Sequence, residues 1–154
     1  CRPCSLLFEK PGAGGGRYRL VPDRVRLLED FRLDEMDWLA LRIPVDLAFF
    51  FYSSAAERVV ALYPGPMGAT ESLLGLEHWE RMEGRNPALS ELEPDVEALL
   101  VDRTRGRRAG WLVPIDACYE LVALFRTKWV GLSGGSEVWQ AVEEFFEELR
   151  RRAR

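Results

Sequence analysis

The most specific arrangement of reactive side chains is the cysteine pair Cys1-Arg2-Pro3-Cys4. Two cysteines with two residues between them can present both sulfurs to one metal ion from a tight turn. A closed structural zinc site needs four such ligands, and this pattern supplies two. The sequence therefore predicts half of a zinc-ribbon-like knuckle. Cys1 and Cys4 are its metal ligands, and zinc binds only together with two further cysteines upstream.

Two other interpretations of this pair remain open. One is an unligated turn, and the other is a redox dithiol. A redox dithiol needs a helix N-terminus that lowers the pKa of its thiols, whereas residues 6–8 are apolar and typical of a strand. The remaining cysteine, Cys118, falls on the inward face of a predicted helix, where a free cysteine commonly fills the core.

A second candidate site is the stretch of residues 64–72, which is rich in Pro and Gly and is predicted to be a loop after a strand. Thr70, Glu71 and Ser72 offer hydroxyl, carboxylate and backbone N–H groups to a ligand. A plain connection is the alternative interpretation, because Pro and Gly mark turns on their own.

The sequence contains no complete catalytic constellation that we can assemble. His78 is the only histidine, and without it no Ser-His-Asp or Cys-His arrangement can be argued. Carboxylates such as Asp46, Asp95 and Asp116 can hold hard cations, yet their spacing matches no calcium loop. The glycine cluster at residues 12–16 is followed by Pro22, which argues against the helix that a phosphate loop requires.

Bulk composition predicts one folded domain of ordinary globular character. The chain has 154 residues, of which 47% are hydrophobic and 30% charged. Its longest apolar run, near residues 47–51, is far shorter than the roughly 20 residues of a membrane helix. The net charge of −4 argues against a nucleic-acid partner. Few cysteines and no secretory signal predict the cytoplasm.

The apolar pattern predicts two β-hairpins. Residues 43–52 pair with 59–63, and residues 96–104 pair with 109–114 across a basic turn at 105–108, which is interpreted as a solvated tip. Residues 43–52 are apolar on both faces, so this strand is expected to be central and covered on both sides.

Helical spacing and caps predict four helices. Asp34 caps the first, with Met36, Leu39 and Ala40 facing inward, and the second covers residues 76–84. Asp116 and Ser136 are expected to cap the last two, which end near residues 129 and 152. Their predicted inward residues are Cys118, Leu121, Val122 and Phe125, and then Val138, Val142, Phe145, Phe146 and Leu149.

These elements define an α+β fold, a small antiparallel sheet of two hairpins with helices packed on it. Residues 1–17 are assigned to the truncated cysteine knuckle and Gly-rich loop, and residues 18–154 to a single α+β domain.

Several strings along the chain resemble one uncharacterised bacterial family. They include Ala13-Gly14-Gly15-Gly16-Arg17-Tyr18, Ile43-Pro44-Val45-Asp46-Leu47-Ala48, Tyr63-Pro64-Gly65-Pro66, Leu92-Glu93-Pro94-Asp95-Val96-Glu97, Val113-Pro114-Ile115-Asp116-Ala117-Cys118 and the segment from Trp129 to Trp139. This domain of unknown function is similar to accessory proteins encoded beside nickel–iron hydrogenase genes. The resemblance implies an upstream cysteine pair before Cys1, and it assigns no catalytic residues.

The leading hypothesis is a non-enzymatic accessory protein that binds a hydrogenase subunit, in assembly or as an auxiliary subunit. Tryptophans commonly anchor protein interfaces, and the candidates are Trp38, Trp79, Trp111, Trp129 and Trp139. The alternative is a small-molecule or metal-handling enzyme that uses the loop at residues 64–72 and nearby carboxylates. A third hypothesis is a dimerisation module built on the C-terminal helix.

Overall fold

A computed structural model describes residues 24–72 and 75–153, and within them six strands form one antiparallel sheet. The strands are β1 (Arg26–Leu28), β2 (Leu47–Ser53), β3 (Arg58–Gly65), β4 (Gly68–Ser72), β5 (Glu97–Asp102) and β6 (Ala109–Pro114). Their order across the sheet is β1-β6-β5-β2-β3-β4. The α+β class and the antiparallel sheet are therefore confirmed.

Both predicted hairpins are present, and they join into one sheet. Phe50 lies opposite Ala61 in the β2–β3 pair, and Leu99 lies opposite Leu112 in the β5–β6 pair. The two hairpins meet where β2 pairs with β5. Phe49 and Phe50 are both 0% exposed although they point to opposite faces. The prediction of a central strand covered on both sides is therefore confirmed.

The prediction of a loop at residues 64–72 is wrong, because these residues form a third hairpin. Pro64 lies opposite Ala69 and Gly65 opposite Gly68, so only Pro66 and Met67 make the turn. Gly68 has φ 118°, a conformation that favours glycine. The Pro and Gly signals mark a two-residue turn, and the polar edge strand β4 lacks the apolar alternation that would have revealed it.

Four α-helices lie within the described residues. They are α1 (Glu35–Ala40), α2 (Leu76–Arg85), α3 (Ile115–Lys128) and α4 (Gly135–Arg152). The cap at Asp34 is confirmed, since its carboxylate accepts a hydrogen bond from the Met36 amide at 2.9 Å. The caps at Asp116 and Ser136 are wrong. Both residues lie inside the first turn, because the helices already begin after Pro114 and Gly134.

The inward face predicted for α1 is also wrong. Met36 is 71% exposed and Leu39 60% exposed, whereas Asp37 and Trp38 are buried. The orientation follows from two contacts. The indole of Trp38 fills the core between α1 and the sheet, and a carboxylate oxygen of Asp37 lies 2.6 Å from a guanidinium nitrogen of Arg81 on α2. Packing of one large ring outweighs the helical spacing of smaller apolar residues.

The sheet has two covered faces, which we name after their helices. The helix-pair face is covered by α3 and α4, and the inward residues predicted for both helices are confirmed. The short-helix face is covered by α1, α2 and a 3₁₀ helix at Pro87–Glu91. No helix in the described part of the chain is long and apolar enough to cross a membrane. The knuckle and Gly-rich loop predicted for residues 1–17 lie outside the described residues.

Candidate functional site

The predicted ligand-binding residues Thr70, Glu71 and Ser72 lie on the edge strand β4. Thr70 is exposed, and Glu71 is exposed and forms an ion pair with Arg58 at 2.6 Å. Ser72 is buried, and its hydroxyl donates to the Leu41 carbonyl at 2.5 Å. Ser72 therefore holds β4 to the end of α1, and Glu71 holds it to β3. These contacts give both polar groups a role within the fold.

The carboxylates that would serve an enzyme are exposed or bonded within the fold. Asp46 and Asp116 are exposed, and Asp95 accepts from the Ser54 amide at 2.9 Å. His78 lies half-buried on α2. Across residues 24–72 and 75–153, no three His, Cys, Asp or Glu side chains gather in a group that could hold a metal ion.

Cys118 fills the core of the helix-pair face, as its helical position predicts. Burial raises the pKa of its thiol far above the ordinary range, so Cys118 remains protonated and chemically quiet. The other two cysteines, Cys1 and Cys4, fall outside the described residues.

The five tryptophans divide into two groups. Trp38, Trp79 and Trp111 are buried core residues, whereas Trp129 and Trp139 are half-buried. The half-buried rings contact each other with centroids 6.0 Å apart, and both pack on Phe125, at 5.5 and 5.7 Å. Only these two tryptophans present part of their surface at the boundary of the protein.

The loop between α3 and α4 carries exposed apolar side chains beside these rings. Val130 is 69% exposed and Leu132 is 103% exposed. We define the aromatic loop surface as Trp129, Val130, Leu132 and Trp139. Exposed single apolar residues are common on proteins, but apolar residues grouped around aromatic rings mark interaction sites.

The aromatic loop is held in one conformation by its own hydrogen bonds. The indole nitrogen of Trp129 donates to the Gly131 carbonyl at 2.7 Å, and that of Trp139 donates to the Ser133 carbonyl at 2.8 Å. Gly134 has φ 95°, and a Cβ there would lie 3.0 Å from the Trp129 ring. Glycine is therefore required where the chain turns beneath the ring.

An acidic groove of about 600 Å³ runs between α3 and α4 and begins beside this loop. We define it by its charged and apolar lining, which is Glu120, Leu124, Lys128, Glu137, Glu144, Phe145, Glu148, Leu149 and Arg152. At the loop end, Lys128 pairs with Glu137 at 3.1 Å. Glu120, in the middle of α3, forms no ion pair within the described part of the chain.

Sequence reasoning missed this surface, although part of its signal is visible. Glu137, Glu144 and Glu148 follow each other at seven and four residues, a spacing that places them along one side of a helix. The exposure of Leu132 carried no comparable signal, because a lone apolar residue in a Gly/Ser turn looks like an ordinary connection.

Comparison with known families identifies the family of this chain, and that family has no described activity. Residues 1–153 match the family described as "Family of unknown function (DUF5947)". The chain belongs to this family. No curated protein and no solved structure matches it significantly. Membership of DUF5947 confirms an uncharacterised domain that extends over nearly all of the sequence, and the description of the family names no partner.

Proposed function

We propose that this DUF5947 domain is a non-enzymatic accessory protein that binds a partner protein through the aromatic loop surface and the acidic groove. The observation that carries the proposal is the position of Leu132. Its side chain is 103% exposed in a loop that is fixed by hydrogen bonds from two tryptophans. Contact of this apolar side chain with water is unfavourable in the free protein. Covering it in a complex is favourable and stabilises that complex.

The fixed loop favours binding for a second reason. Association costs free energy whenever flexible segments become ordered, and a loop already held in its bound shape avoids much of that cost. The partly exposed rings of Trp129 and Trp139 are of the residue type that dominates binding energy at interfaces. Leu132, in the same loop, adds a fully exposed apolar side chain.

The charge of the groove indicates the chemistry of the partner. Four glutamates line it, whereas its cations are Lys128 and Arg152. Glu137 is paired with Lys128 and Glu148 with Arg151. Glu120 and Glu144 are therefore the two groove glutamates without an ion pair within the described residues. A segment that presents an apolar side chain to the loop and Lys or Arg side chains to the groove complements this surface. Complementary charge speeds encounter and fixes the orientation of the bound segment.

The partner we propose is a subunit of a nickel–iron hydrogenase, which the domain would bind during assembly or as an auxiliary subunit. This choice of partner is supported by the sequence resemblance alone. The aromatic loop surface supports the broader proposal of a protein–protein contact, and it does so independently of the identity of the partner.

The experiment is recovery of partners from the native host with tagged wild-type protein and a Leu132→Ser variant. We expect a hydrogenase subunit with the wild type and at least fivefold less of it with Leu132→Ser, since truncating an interface residue that contributes to binding costs at least about 1 kcal/mol. Leu39→Ser is the matched control, because Leu39 is 60% exposed on the other face of the sheet. Recovery of no hydrogenase component by the wild type would refute the partner. Equal losses of the recovered subunit with Leu132→Ser and Leu39→Ser would refute the aromatic loop surface as the binding site.

A zinc site at Cys1 and Cys4 is a separate proposal, supported by the spacing of the pair. We propose that a chain extended upstream by two further cysteines binds one zinc ion, and that the 154-residue chain binds zinc weakly or not at all. Metal analysis of both chains is the test. Stoichiometric zinc on the shorter chain as a monomer would show that two ligands of another origin complete the site.

A further inference from the structure

A second recess, on the short-helix face, is lined mainly by arginines. This arginine cleft has a volume of about 420 Å³ and is formed by Phe31, Arg32, Leu33, Asp34, Arg85, Arg103 and Arg108. Three separate segments contribute to it. They are the chain between β1 and α1, the end of α2, and the turn between β5 and β6. The cleft lies apart from the aromatic loop surface, which belongs to the helix-pair face.

Arg103 is held rigidly at the cleft and retains an unused donor. Its guanidinium carbon lies 5.1 Å from the centre of the Trp38 ring, and one of its terminal nitrogens, Nη2, is hydrogen-bonded to the Glu35 carboxylate. Its other terminal nitrogen, Nη1, is buried and has no hydrogen-bond partner. A buried, unpaired donor on a charged group is costly, so Arg103 has unmet hydrogen-bonding capacity beside the cleft.

The other three arginines are also incompletely neutralised. Arg32 forms no ion pair with residues 24–72 or 75–153. Arg108 lies 3.8 Å from Glu35, which already accepts from Arg103. Arg85 lies 3.4 Å from Asp34. Counted with both carboxylates, the four guanidinium groups leave a charge of about +2 at the cleft.

The carboxylate of Asp34 cannot neutralise all of this positive charge, because it also forms the N-cap of α1. One of its oxygens accepts from the Met36 amide at 2.9 Å and caps α1. That hydrogen bond, together with nearby Arg85 and Arg81, lowers the pKa of Asp34. The cap therefore fixes the carboxylate on one side of the cleft and leaves the arginines facing the open volume.

The segment that carries Arg32 is fixed by its backbone, so its side chain remains available. The amide of Asn86 accepts from the Arg32 backbone N–H at 2.8 Å and donates to the Arg32 carbonyl at 2.7 Å. Next to it, the Phe31 ring packs over Gly110, where a Cβ would lie 2.5 Å from the ring. Phe31 and Leu33 give the cleft an apolar wall beside its cations.

We propose that the arginine cleft binds a small phosphomonoester. A dianionic phosphate matches the excess of about two positive charges in number. Its tetrahedral oxygens accept hydrogen bonds from several directions, as donors from three chain segments require, whereas the two oxygens of a carboxylate lie in one plane. The wall of Phe31 and Leu33 contacts the organic part of the ligand. The volume lies near the lower end of the range for small-molecule sites.

The test is calorimetric titration of the full chain with phenyl phosphate, inorganic phosphate and benzoate at matched ionic strength. We expect saturable binding of phenyl phosphate, weaker binding of inorganic phosphate because it lacks an apolar part, and the weakest binding of benzoate. Arg32→Gln should weaken binding of phenyl phosphate about tenfold, as loss of one charge-assisted pair does. Arg32→Gln should leave the melting temperature without ligand unchanged, because its side chain forms no ion pair.

Arg126→Gln is the matched control, since it removes the same charge from an exposed position on α3, on the helix-pair face. It should change the affinity less than twofold. Equal weakening by Arg126→Gln and Arg32→Gln would show that only net charge matters and would overturn the proposal. Absence of saturable binding, or benzoate binding as tightly as phenyl phosphate, would overturn it as well. Binding to vesicles that contain phosphatidic acid without any binding of phenyl phosphate would place the phosphate on a lipid and exclude a small soluble ligand.

Discussion

The two faces of the sheet are built in different ways. On the helix-pair face, α3 and α4 have 14 and 18 residues, and their deepest side chains, Leu121, Phe125 and Phe146, are 0% exposed. On the short-helix face, α1 and α2 have 6 and 10 residues. The aromatic residues of these shorter helices, Trp38 and Trp79, are 6% and 8% exposed.

Polar contacts replace part of the apolar packing on the short-helix face. The side chain of Asn86 joins the end of α2 to the chain before α1, and the Asp37–Arg81 ion pair joins α1 to α2. Such contacts fix positions without filling volume. They therefore leave a recess where the three segments meet, and the arginine cleft occupies it. The larger buried cluster lies on the helix-pair face, so we expect that face to contribute more to the stability, whereas the short-helix face carries a recess lined by cations.

The basic turn between β5 and β6 divides its arginines between the two faces. Arg107 reaches α4 and forms two hydrogen bonds of 2.7 Å with Glu143, and Arg105 lies 3.5 Å from the same carboxylate. Arg103 and Arg108 instead lie at the arginine cleft. The interpretation of this turn as a solvated tip is therefore wrong for Arg107, whose side chain is 27% exposed.

The largest expected effect is the loss of a side chain from the helix-pair face. Phe146→Ala should lower the free energy of unfolding by about 3 to 5 kcal/mol, because it removes a fully buried ring and leaves a cavity. Met82→Ala on the short-helix face should cost less, about 2 to 3 kcal/mol, since short helices can move to close the gap. Urea denaturation of both variants measures the difference. Equal or reversed losses would remove the distinction between the faces.

The next effect concerns Asp102, which connects the sheet to the basic turn. Asp102 is 0% exposed, accepts from the amide and hydroxyl of Thr104, and lies 3.3 Å from Arg107. Asp102→Ala leaves these donors unpaired and should lower the free energy of unfolding by about 2 to 4 kcal/mol. Asp102→Asn retains one acceptor oxygen and should lose about half as much. Urea denaturation measures both variants. If Asp102→Ala loses no more free energy of unfolding than Asp102→Asn, this account is contradicted.

The division between faces was only partly predictable from the sequence. The hairpins were predictable because β2, β3, β5 and β6 are rich in apolar residues, and Pro or Gly lies at the ends of β3 and β6 and in the turn after β5. β1 was missed because three residues give no measurable alternation, and β4 because it is a polar edge strand. The orientation of α1 depends on where Trp38 finds a cavity, which only the assembled fold defines.

The candidate sites were less predictable than the fold. The arginine cleft combines residues 31–34, Arg85, Arg103 and Arg108, which come together only through the strand order β1-β6-β5. Nothing local in the sequence distinguishes Arg32 or Arg103 from solvated arginines. The acidic groove was more predictable, since three of its four glutamates, Glu137, Glu144 and Glu148, lie along one side of α4.

A smaller effect is expected at the polar contact that shapes the cleft. Asn86→Ala removes both hydrogen bonds to the Arg32 backbone and one of 2.9 Å to the Met82 carbonyl. The free energy of unfolding should fall by about 1 to 3 kcal/mol, and hydrogen exchange at the Arg32 amide should accelerate. Ser90→Ala is the control, because its hydroxyl forms one exposed hydrogen bond with Pro87. Unchanged exchange at Arg32 would show that another contact holds this segment.

The smallest effect belongs to the exposed side of the helix-pair face and depends on pH. The side chain of Glu143 is 23% exposed. The hydrogen bonds from Arg107, aided by the charge of Arg105, lower the pKa of Glu143. A carboxyl whose pKa is lower in the folded protein adds stability above its unfolded pKa, about 4.3, and loses it as the pH falls through the folded pKa.

Glu143→Gln should therefore lower the free energy of unfolding by about 0.5 to 1 kcal/mol near neutral pH, the scale of a partly exposed ion pair. The difference from wild type should shrink as the pH is lowered toward ~3, because the wild-type carboxylate becomes protonated and resembles the amide. Glu147→Gln on the same helix is the control, since Glu147 is exposed and makes no ion pair within the described residues. Urea denaturation across this pH range measures both variants. A difference for Glu143→Gln that stays constant with pH would show that Arg107 is held by shape and hydrogen bonding, with no contribution from the charge of its partner.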